Sequence, residues 1–456
     1  MSMTHYTRIS LWRRDVYNLR MILGIISLLV RGLVGTLRLF GSGGTALPGL
    51  WVEKYVPWLI SMYARQYDKI ILITGTNGKT TTQLALLSVL ETAGLRVVAN
   101  TSGSNMLRGV ATVLMTGGLV QKAQSVLMCE VEEATMPRLT RLLDTDIIVV
   151  TNMYRDQLDA YGELDKTAQY IKEACQNNPN AILVLNSDDP VVTTLSAGLP
   201  NKKVTYSLGE YAKEFQYEGS FDKFHDTIRT SSQNFDIVAK HITVHDDLST
   251  ESEFSYQGVD MKVPFKPPGK YNVYNLLACY ASAQILDLSN DHIMKGLTMV
   301  QAPFGRGEVV TFTHKGRSMI FQIFLVKNPA GYSQVWDMLS TVQTPFNLIL
   351  GLSDQIADGR DVSWIWDIDL APFPHSDALQ FVAFTGRRAY DMALRLKYAG
   401  VEGTGHTMIT NIQSCLDNMV EQSTEGRRCF VLMTYTAMTE FRSALGKYVT
   451  MVPYSL

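Results

Sequence analysis

Short apolar runs that alternate with helical stretches dominate the first half of the chain. Between about residues 50 and 200 there are five such runs: KIILIT (69–74), LRVVAN (95–100), SVLMCEV (125–131), DIIVVTN (146–152) and AILVLN (181–186). Apolar runs bounded by turns and separated by helices indicate strands of a parallel sheet with helices over its faces. The pattern therefore predicts an α/β domain.

The pattern changes twice more towards the C-terminus. Residues 205–265 are polar, aromatic and β-like, which predicts an antiparallel insertion or a small sub-domain, and 267–286 predicts a helix packed on the sheet. After 301–308 a second series begins, with apolar runs SMIFQIF (318–324), FNLILGL (346–352), ALQFVAFTG (378–386) and RCFVLMTY (428–435). We therefore predict an N-terminal helical segment (1–45), a central domain (46–300) and a C-terminal Rossmann-like α/β domain (301–456).

The N-terminal segment is apolar but short. MILGIISLLV (21–30) spans ten residues before Arg31, whereas a membrane-spanning helix needs about 20. On a continuous helix Arg13, Arg20, Arg31 and Arg38 would lie within about 20° of one another. Two interpretations remain open: a helix packed on its own domain or on a partner with a solvated arginine face, or a helix on a membrane surface.

Charge and cysteine content exclude several classes. The net charge of −2 and pI of about 6.5 argue against a nucleic-acid binder that relies on a basic surface. The five cysteines are odd in number and none forms a CxxC pair. We therefore expect a reduced, cytoplasmic chain without a disulfide framework or a zinc cage.

A phosphate-binding loop is predicted at ILITGTNGKTTT (71–82). A buried strand leads into a glycine turn, and Lys79-Thr80 opens a helix whose N-terminus favours anions. Lys79 suits the β- and γ-phosphates of a nucleotide, and the Thr80 hydroxyl suits Mg²⁺. The usual spacing G-x-x-x-x-G-K-[ST] would need glycine where Ile73 stands, so this loop is a shortened form.

Carboxylates and amides follow the other strands. Glu130 ends an apolar run, and side chains at the carboxyl ends of parallel strands point into the ligand crevice; it is our candidate Mg²⁺ ligand, with Glu132 and Glu133 as lesser candidates. The alternative is a solvated acidic turn. Further polar residues follow the next two runs: Thr151, Asn152, 155–159, Asn186, Asp188 and Asp189. Each alone suits an N-cap or a turn, but together they would rim one edge of one sheet.

These motifs resemble a known family. GTNGKTT, the strand-end glutamate, TN…D-x-L-D…G-E, NSDDP, GKYNVYN and FGRGE occur in the order seen in Mur ligases and folylpolyglutamate synthases. Those enzymes phosphorylate a carboxylate with ATP and trap the acyl phosphate with an amine. The resemblance covers about residues 45 to 450 and implies a Mur-ligase-like central ATPase domain with a P-loop.

A narrower resemblance is to the MurT family. It rests on TNMYRDQLDAYGE, KNPAG (327–331), DQIADGRDVSWIWD (354–367) and TGRRAYDMALRLKYAG (385–400). MurT proteins are the ligase-like subunits of lipid II isoglutaminyl synthase and work with a GatD-type glutamine amidotransferase. Gln157 stands where Mur ligases have a metal-bound histidine, and ADGRD where they hold the incoming amino acid. Both departures fit an enzyme whose nucleophile is ammonia, acting on lipid II at the membrane surface.

The resemblance implies roles for individual residues. Asn275 would contact the nucleotide with Asn272 beside it, and Arg306 lies where such ligases join their C-terminal domain. Thr80 and Glu130 would hold Mg²⁺. Asp361 would complete a catalytic triad with the partner's cysteine and histidine, although it also suits an N-cap before VSWIWDI. The residues implied to bind ATP phosphates are Gly75, Thr76, Asn77, Gly78, Lys79, Thr80 and Thr81.

One departure concerns zinc. Many MurT proteins carry a four-cysteine zinc ribbon in the central domain, whereas residues 205–265 contain no cysteine. The close pair His241 and His245 would be about 13 Å apart on a strand, too far to share an ion. We predict no structural zinc.

Two rival functions remain at this stage. The first is a stand-alone ligase of the Mur or folylpolyglutamate type that adds an amino acid, against which Gln157 and the ADGRD segment count. The second is a non-catalytic, nucleotide-gated regulator of a glutaminase. Intact Lys79, Thr80 and Glu130 count against the regulator, because a protein that only senses nucleotide does not need a complete phosphoryl-transfer site.

Overall fold

Two sheets organise the chain. The computed structural model describes residues 21, 23–36, 47–101, 104–117, 123–153, 163–215, 235–245, 247–302, 305–371, 376–401 and 405–451. The first sheet has nine strands in the order β2-β3-β1-β4-β5-β6-β7-β8-β9. Their bounds are β1 Lys69–Thr74, β2 Arg96–Ala99, β3 Ser125–Glu130, β4 Ile147–Val150, β5 Ile182–Asn186, β6 Lys203–Ser207, β7 Ile237–Val244, β8 Thr250–Tyr256 and β9 Val259–Phe265.

Helices cover both faces of this sheet, which is why its parallel strands are apolar throughout. Ile70 and Leu72 of β1 pack into one core, and Ile71 and Ile73 into the other. The first core is closed by α1 (23–36), α2 Leu47–Tyr55, α3 Trp58–Ala64, α5 Leu107–Gly117, α6 Met136–Thr140, α7 Glu163–Asn177 and α8 Pro190–Ser196. The second is closed by α4 Lys79–Thr92, α9 Tyr271–Ile285 and α10 Asn290–Met299.

The strands described after residue 205 belong to the central sheet rather than to a separate sub-domain, while residues 216–234 of the β-like segment lie outside the described residues. β7 runs parallel to β6, with Tyr206 opposite Ile237, and β8 and β9 follow antiparallel. Ile237, Phe254 and Val263 are buried in the same core as the parallel strands. The polar positions that alternate with them lie on the less covered face, so these strands have the polar–apolar alternation of antiparallel sheets.

The C-terminal domain has its own sheet, in the order β10-β11-β15-β12-β13-β14. β10 pairs antiparallel with β11 and the remaining pairs are parallel. The strands are β10 Arg306–His314, β11 Arg317–Leu325, β12 Phe346–Gly351, β13 Leu379–Thr385, β14 Gly405–Met408 and β15 Arg428–Met433. The helices are α11 Pro329–Ser340, α12 Ala389–Tyr398, α13 Ile412–Gln422 and α14 Tyr435–Leu445. Four runs were predicted as strands and are strands, whereas β10 and β14 were not predicted.

The N-terminal helix α1 packs on its own domain. Leu23 joins the central core, the Ser27 hydroxyl donates to the Tyr63 hydroxyl at 3.2 Å, and Arg31 Nε donates to the Thr116 carbonyl at 2.8 Å. The packed alternative therefore holds for this part of the segment, while Arg13, Arg20 and Arg38 lie outside the described residues. Among the helices of the described ranges, none is long and apolar enough to cross a membrane.

Candidate functional site

The loop between β1 and α4 has the backbone of an anion-binding turn. Gly75 has φ +122° and Gly78 has φ +89°, conformations that favour glycine. A Cβ at Gly75 would lie 2.3 Å from Thr151 Oγ1, and one at Gly78 would lie 2.2 Å from Asn275 Oδ1. Both glycines are therefore required by shape, and the second leads directly into the first turn of α4, where N–H groups lack helical partners.

The end of β4 holds this loop in place. Asn152 accepts at its carbonyl from the Thr76 N–H and at Oδ1 from the Asn77 N–H, both at 2.9 Å. It also donates from Nδ2 to the Asn77 carbonyl at 2.9 Å, and the Thr151 hydroxyl donates to the same carbonyl at 2.7 Å. Thr151 and Asn152 were expected only to rim this edge, but they fix the conformation of the loop.

Lys79 lies over the loop and is held by an acidic partner. Its ammonium donates to the Gly75 carbonyl and to Glu133 Oε1, the latter at 3.1 Å. Both side chains of this ion pair are largely buried. Glu133, a lesser Mg²⁺ candidate from the sequence, is therefore the carboxylate that neutralises Lys79. A phosphate group on the loop would compete with it for the same ammonium.

Glu130 ends β3 beside the start of the loop, with Ile73 as its partner in β1. Asn100 fixes its backbone: Oδ1 accepts from the Glu130 N–H at 2.9 Å and Nδ2 donates to its carbonyl at 2.8 Å. The carboxylate is buried, and its Oε2 has no hydrogen-bond partner among the described residues. An orphaned carboxylate oxygen beside a phosphate loop fits a divalent cation, which prefers such ligands.

A chain of amides joins the loop helix to α9. The Thr82 hydroxyl donates to Asn275 Oδ1 at 3.3 Å, Asn275 Nδ2 donates to Asn272 Oδ1 at 2.7 Å, and Asn272 Nδ2 donates to the Pro268 carbonyl at 2.8 Å. Both asparagines are buried. Asn275, expected near the nucleotide, is thus packed against Gly78 with Asn272 beside it.

Arg306 brings the C-terminal domain to the loop. It is the first residue of β10, and its Nη2 donates to the Thr80 hydroxyl at 3.4 Å. Thr80 is the residue whose hydroxyl was expected on Mg²⁺, so a cationic side chain of the second domain occupies the vicinity of the predicted metal position. Thr81, the last residue of the predicted loop, is buried in the first turn of α4.

The acidic pair after β5 has a structural role. Asp189 caps α8, accepting from the N–H groups of Val191 and Val192, and also accepts from the Met153 N–H after β4. Burial raises its pKa to about 6. Asp188 accepts from Ser207, Leu208 and Tyr274, at 2.6, 2.7 and 3.0 Å. The Asn186 side-chain oxygen accepts from the Asp188 N–H, two residues along the chain. Residues 155–159, with Gln157, lie outside the described part.

Asp361 lies apart from the loop, on the surface of the C-terminal domain. Its carboxylate is exposed and accepts from the Ser363 N–H at 2.8 Å, at the start of a short 3₁₀ helix, Ser363–Asp367. Hydrogen bonds from the Ser363 side chain and backbone hold the pKa of this carboxyl below its ordinary value. Asp361 is therefore an ionised acceptor that reaches solvent, and it also makes the local turn contact expected of a cap.

Two residues of the site were missed from the sequence. Asn100 anchors Glu130, and Gln83 Nε2 in α4 donates to Asn100 Oδ1 at 2.9 Å. Both side chains are buried. Asn100 directly follows β2 in the order of the chain, so the rule that drew attention to the ends of the other strands would have found it.

Two protein-family models and several known proteins match this chain. The Mur ligase middle domain model matches residues 73–283, and the MurT ligase C-terminal model matches residues 325–438. The chain is 28% identical over 423 residues to the MurT subunit of lipid II isoglutaminyl synthase from Streptococcus pneumoniae, covering 88% of this chain and 92% of the relative. It is 29% identical to the subunit of the same name from Staphylococcus aureus, covering 80% and 85%.

Solved structures support the fold. MurF from Acinetobacter baumannii superposes with a TM-score of 0.65 at 19% identity, covering 86% of this chain and 78% of that one. MurF from Thermotoga maritima in complex with ADP superposes with a TM-score of 0.59 at 15% identity, covering 85% and 83%. Similarity at this level of identity supports the shared architecture of the central and C-terminal domains.

Proposed function

Since the chain belongs to the Mur ligase family and carries a MurT-type C-terminal domain, we propose that it is the synthetase subunit of a lipid II isoglutaminyl synthase. Its reaction is the ATP-dependent amidation of the D-glutamate α-carboxylate in the lipid II stem peptide. The observation that carries the proposal is the joining of a complete phosphate loop to a C-terminal domain with an exposed acidic residue, Asp361.

The reaction divides into two displacements. A carboxylate oxygen of the substrate attacks the γ-phosphorus of ATP, the bond to the β-phosphate oxygen breaks, and ADP leaves with its electron pair. Ammonia then attacks the carbonyl carbon of the acyl phosphate, inorganic phosphate leaves, and the new amide loses a proton to give D-isoglutamine. Neither step needs a redox partner or a covalent bond to the protein, so catalysis rests on positioning and on charge stabilisation.

The loop residues supply the charge stabilisation. When ATP binds, we expect the Lys79 ammonium to exchange Glu133 for phosphate oxygens, because both are anionic and the ion pair lies on the loop. The buried Asn77 Nδ2, which has no hydrogen-bond partner among the described residues, is a further donor for phosphate. Thr80 and Glu130 are the residues that would hold Mg²⁺, which neutralises charge developing between the phosphates.

Domain closure would protect the acyl phosphate from water. Arg306 already contacts Thr80 across the two domains, and our proposed junction of the domains is at 301–308. A guanidinium at this position would meet the transferred phosphoryl group as the domains close. We propose that this segment is also the hinge. Closure of the two domains would exclude water from the site while ammonia enters.

Ammonia would come from a glutaminase of the GatD type bound to the C-terminal domain. A histidine base in such a partner needs a carboxylate to fix its tautomer and orientation, and Asp361 offers an exposed, ionised one. The apolar surface of this domain suits docking: Ile356 in the same loop is 85% exposed, and Trp366, Tyr390, Leu394 and Tyr398 are also exposed. On α12, Tyr390, Leu394 and Tyr398 are four residues apart and share a face.

The protein would then act in the cytoplasm at the inner face of the membrane, where the lipid-linked substrate presents its peptide. The test is reconstitution. We expect the purified chain with ATP, Mg²⁺, lipid II and ammonium to form ADP and amidated product, and to use glutamine only when the glutaminase is added. A chain that instead consumes an amino acid without a partner would be a stand-alone ligase. One that binds ATP but releases no phosphate with substrate present would be a regulator.

A further inference from the structure

The N-terminal helices expose an unusual amount of apolar surface. On α1, Leu28 and Leu29 are 73% and 67% exposed, while Leu23, Ser27 and Val34 on the other side are buried. A surface helix of a globular protein normally turns its polar side to water. The exposed apolar residues of this helix are Met21, Ile25, Leu28, Leu29 and Leu33.

Helices α2 and α3 add aromatic residues to the same side of the domain. Leu50, Trp51, Tyr55 and Trp58 are exposed, and the rings of Trp51 and Tyr55 are 5.8 Å apart. We call these residues and the exposed apolar residues of α1 the apolar patch. Exposed tryptophan and tyrosine beside aliphatic residues are typical of surfaces that meet the headgroup region of a bilayer.

Helices α1 and α2, which both contribute residues to the patch, contact the same helix, α5. Arg31 of α1 donates to the Thr116 carbonyl, and the Gly49 N–H of α2 donates to the Thr112 hydroxyl at 3.0 Å. Because Thr112 and Thr116 are four residues apart, α1 and α2 attach about one turn from each other along α5. The two parts of the patch therefore lie on neighbouring helices on the same face of the central sheet.

The charge of the N-terminal region indicates what kind of surface the apolar patch would bind. Residues 1–38 contain six arginines (Arg8, Arg13, Arg14, Arg20, Arg31, Arg38) and a single acidic residue, Asp15, whereas the whole chain has a net charge of −2. Within the patch, the exposed Lys54 holds its ammonium 5.3 Å from the centre of the Tyr55 ring. Arg31 on α1 and Lys54 on α2 are exposed cations on the helices that carry the patch, and cations beside apolar and aromatic side chains complement an anionic lipid surface.

The patch is also connected to the candidate nucleotide site. Glu53 of α2 accepts from Arg138 of α6 at 2.7 Å, and α6 begins shortly after β3 ends at Glu130. A membrane held by the patch would thus lie on the side of the domain where α2 contacts α6, which suits a substrate whose peptide projects from a lipid. We propose that the apolar patch binds the surface of an anionic membrane; this inference rests on the proposed function for the choice of substrate.

Vesicle sedimentation of the purified full-length chain tests the proposal. Vesicles of phosphatidylcholine alone are compared with vesicles that also contain about 30% phosphatidylglycerol. The patch variant combines Leu28→Gln, Leu29→Gln, Trp51→Ser and Trp58→Ser. The control combines Met299→Gln and Val259→Gln, at positions 59% and 51% exposed on the far side of the central sheet. A thermal melt of each protein checks that these solvent-exposed changes leave the fold intact.

We expect the original chain and the control to bind anionic vesicles and to bind less at high salt, since the cations contribute. The patch variant should bind roughly tenfold or more weakly, because buried apolar area drives such binding. Equal binding by the patch variant, or no binding by the original chain, would overturn the proposal. So would light scattering in which the patch variant alone loses a dimer, or co-purification in which it alone loses the glutaminase, because the patch would then be a protein interface.

Failure of this inference and failure of the proposed function are separable. The vesicle assay contains neither ATP nor substrate, so it reports only on the surface. Amidation of a water-soluble stem-peptide fragment, with ammonium as the nitrogen source, reports only on the ligase site. The patch variant should match the original chain in that second assay, and a loss there would show that the substitutions act through the site rather than through lipid.

Discussion

The carboxyl ends of the parallel strands in the two sheets carry loops of opposite character. In the central domain the loop after β1 is hydrogen-bonded to the end of β4 through Asn152, and its Gly78 packs against Asn275 of α9. Its functional cation, Lys79, is already neutralised by Glu133. In the C-terminal domain the loop after β12 leaves Asp361 in water, with Ser363 as its hydrogen-bond donor.

This difference indicates which half of the proposed chemistry is complete in the chain. A site whose polar groups are tied together is preorganised for charge that the substrate brings, as phosphoryl transfer requires. An exposed carboxylate interacts only weakly with other charges until another protein covers it and excludes water. The central site should therefore act alone with ammonia, whereas the C-terminal loop should matter only with a partner bound.

Asp361→Asn provides the largest expected effect. Assembled with the glutaminase, this variant should lose glutamine-dependent amidation by about 10³ to 10⁴-fold, because the partner's histidine would lack the carboxylate that orients it. Amidation with high ammonium salt should continue, since the central site is untouched. Product formation with each nitrogen source measures the two halves separately.

Asp367→Asn is the matched control for this experiment. Asp367 is an exposed residue at the other end of the same 3₁₀ helix, so its replacement removes the same charge from the same segment. If both variants keep normal glutamine-dependent activity, Asp361 is only a turn residue, and a lost cap would cost about 1 kcal/mol of local stability.

Lys79→Ala tests the central half. Removing a donor aimed at developing charge should lower amidation by about 10² to 10³-fold with either nitrogen source. The chain should stay folded, because the loop contributes few apolar contacts, although its melting temperature should fall because the largely buried Glu133 loses its ion-pair partner. Lys69→Ala is the control: Lys69 also forms an ion pair, with Asp146 at 3.2 Å, but at the opposite end of β1. Full amidation by a folded Lys79→Ala protein would contradict the nucleotide-site assignment.

Glu130→Gln should have a smaller effect on the amidation rate, and the size of that effect should depend on the Mg²⁺ concentration. A neutral amide keeps the shape of the side chain but removes a charged ligand, so we expect roughly tenfold to hundredfold more Mg²⁺ to be needed for half-maximal rate. Glu132→Gln, two residues away, separates the candidates. An unchanged Mg²⁺ requirement in Glu130→Gln together with a raised one in Glu132→Gln would move the metal ligand to Glu132.

The sequence predicted the strands and the loop because their signals are local. An apolar run between turns, or glycines before Lys79, needs no knowledge of distant residues. Two strands of the C-terminal sheet were missed: β10, whose polar–apolar alternation ends within a polar stretch, and β14, which has only four residues. The contacts of Asn100 and Glu133 could not be predicted, because they depend on residues that are distant in the chain. Asn100 contacts Gln83 and Glu130, and Glu133 contacts Lys79.

Asp188 and Asp189 illustrate the remaining ambiguity. An acidic pair at a strand end fits both the rim of a ligand crevice and an N-cap, and the sequence pattern is the same for each. The contacts decide it: Asp189 accepts three backbone N–H groups, and Asp188 accepts from Ser207, Leu208 and Tyr274. Carboxylates engaged in this way stabilise the edge of the sheet.

Removal of metal should have the smallest effect of all. All five cysteines are buried and unpaired, and burial raises the pKa of Cys129 and Cys175 to about 12, so neither offers the thiolate that zinc requires. Within the described ranges no group of three or more histidine, cysteine, aspartate or glutamate side chains is arranged to hold a metal ion. His241 lies in β7 and His245 directly follows that strand, so the two are about 13 Å apart at extended spacing. Dialysis against a chelator should therefore leave the melting temperature unchanged without nucleotide. Metal analysis that finds near one zinc per chain, together with a lower melting temperature after dialysis, would contradict this prediction.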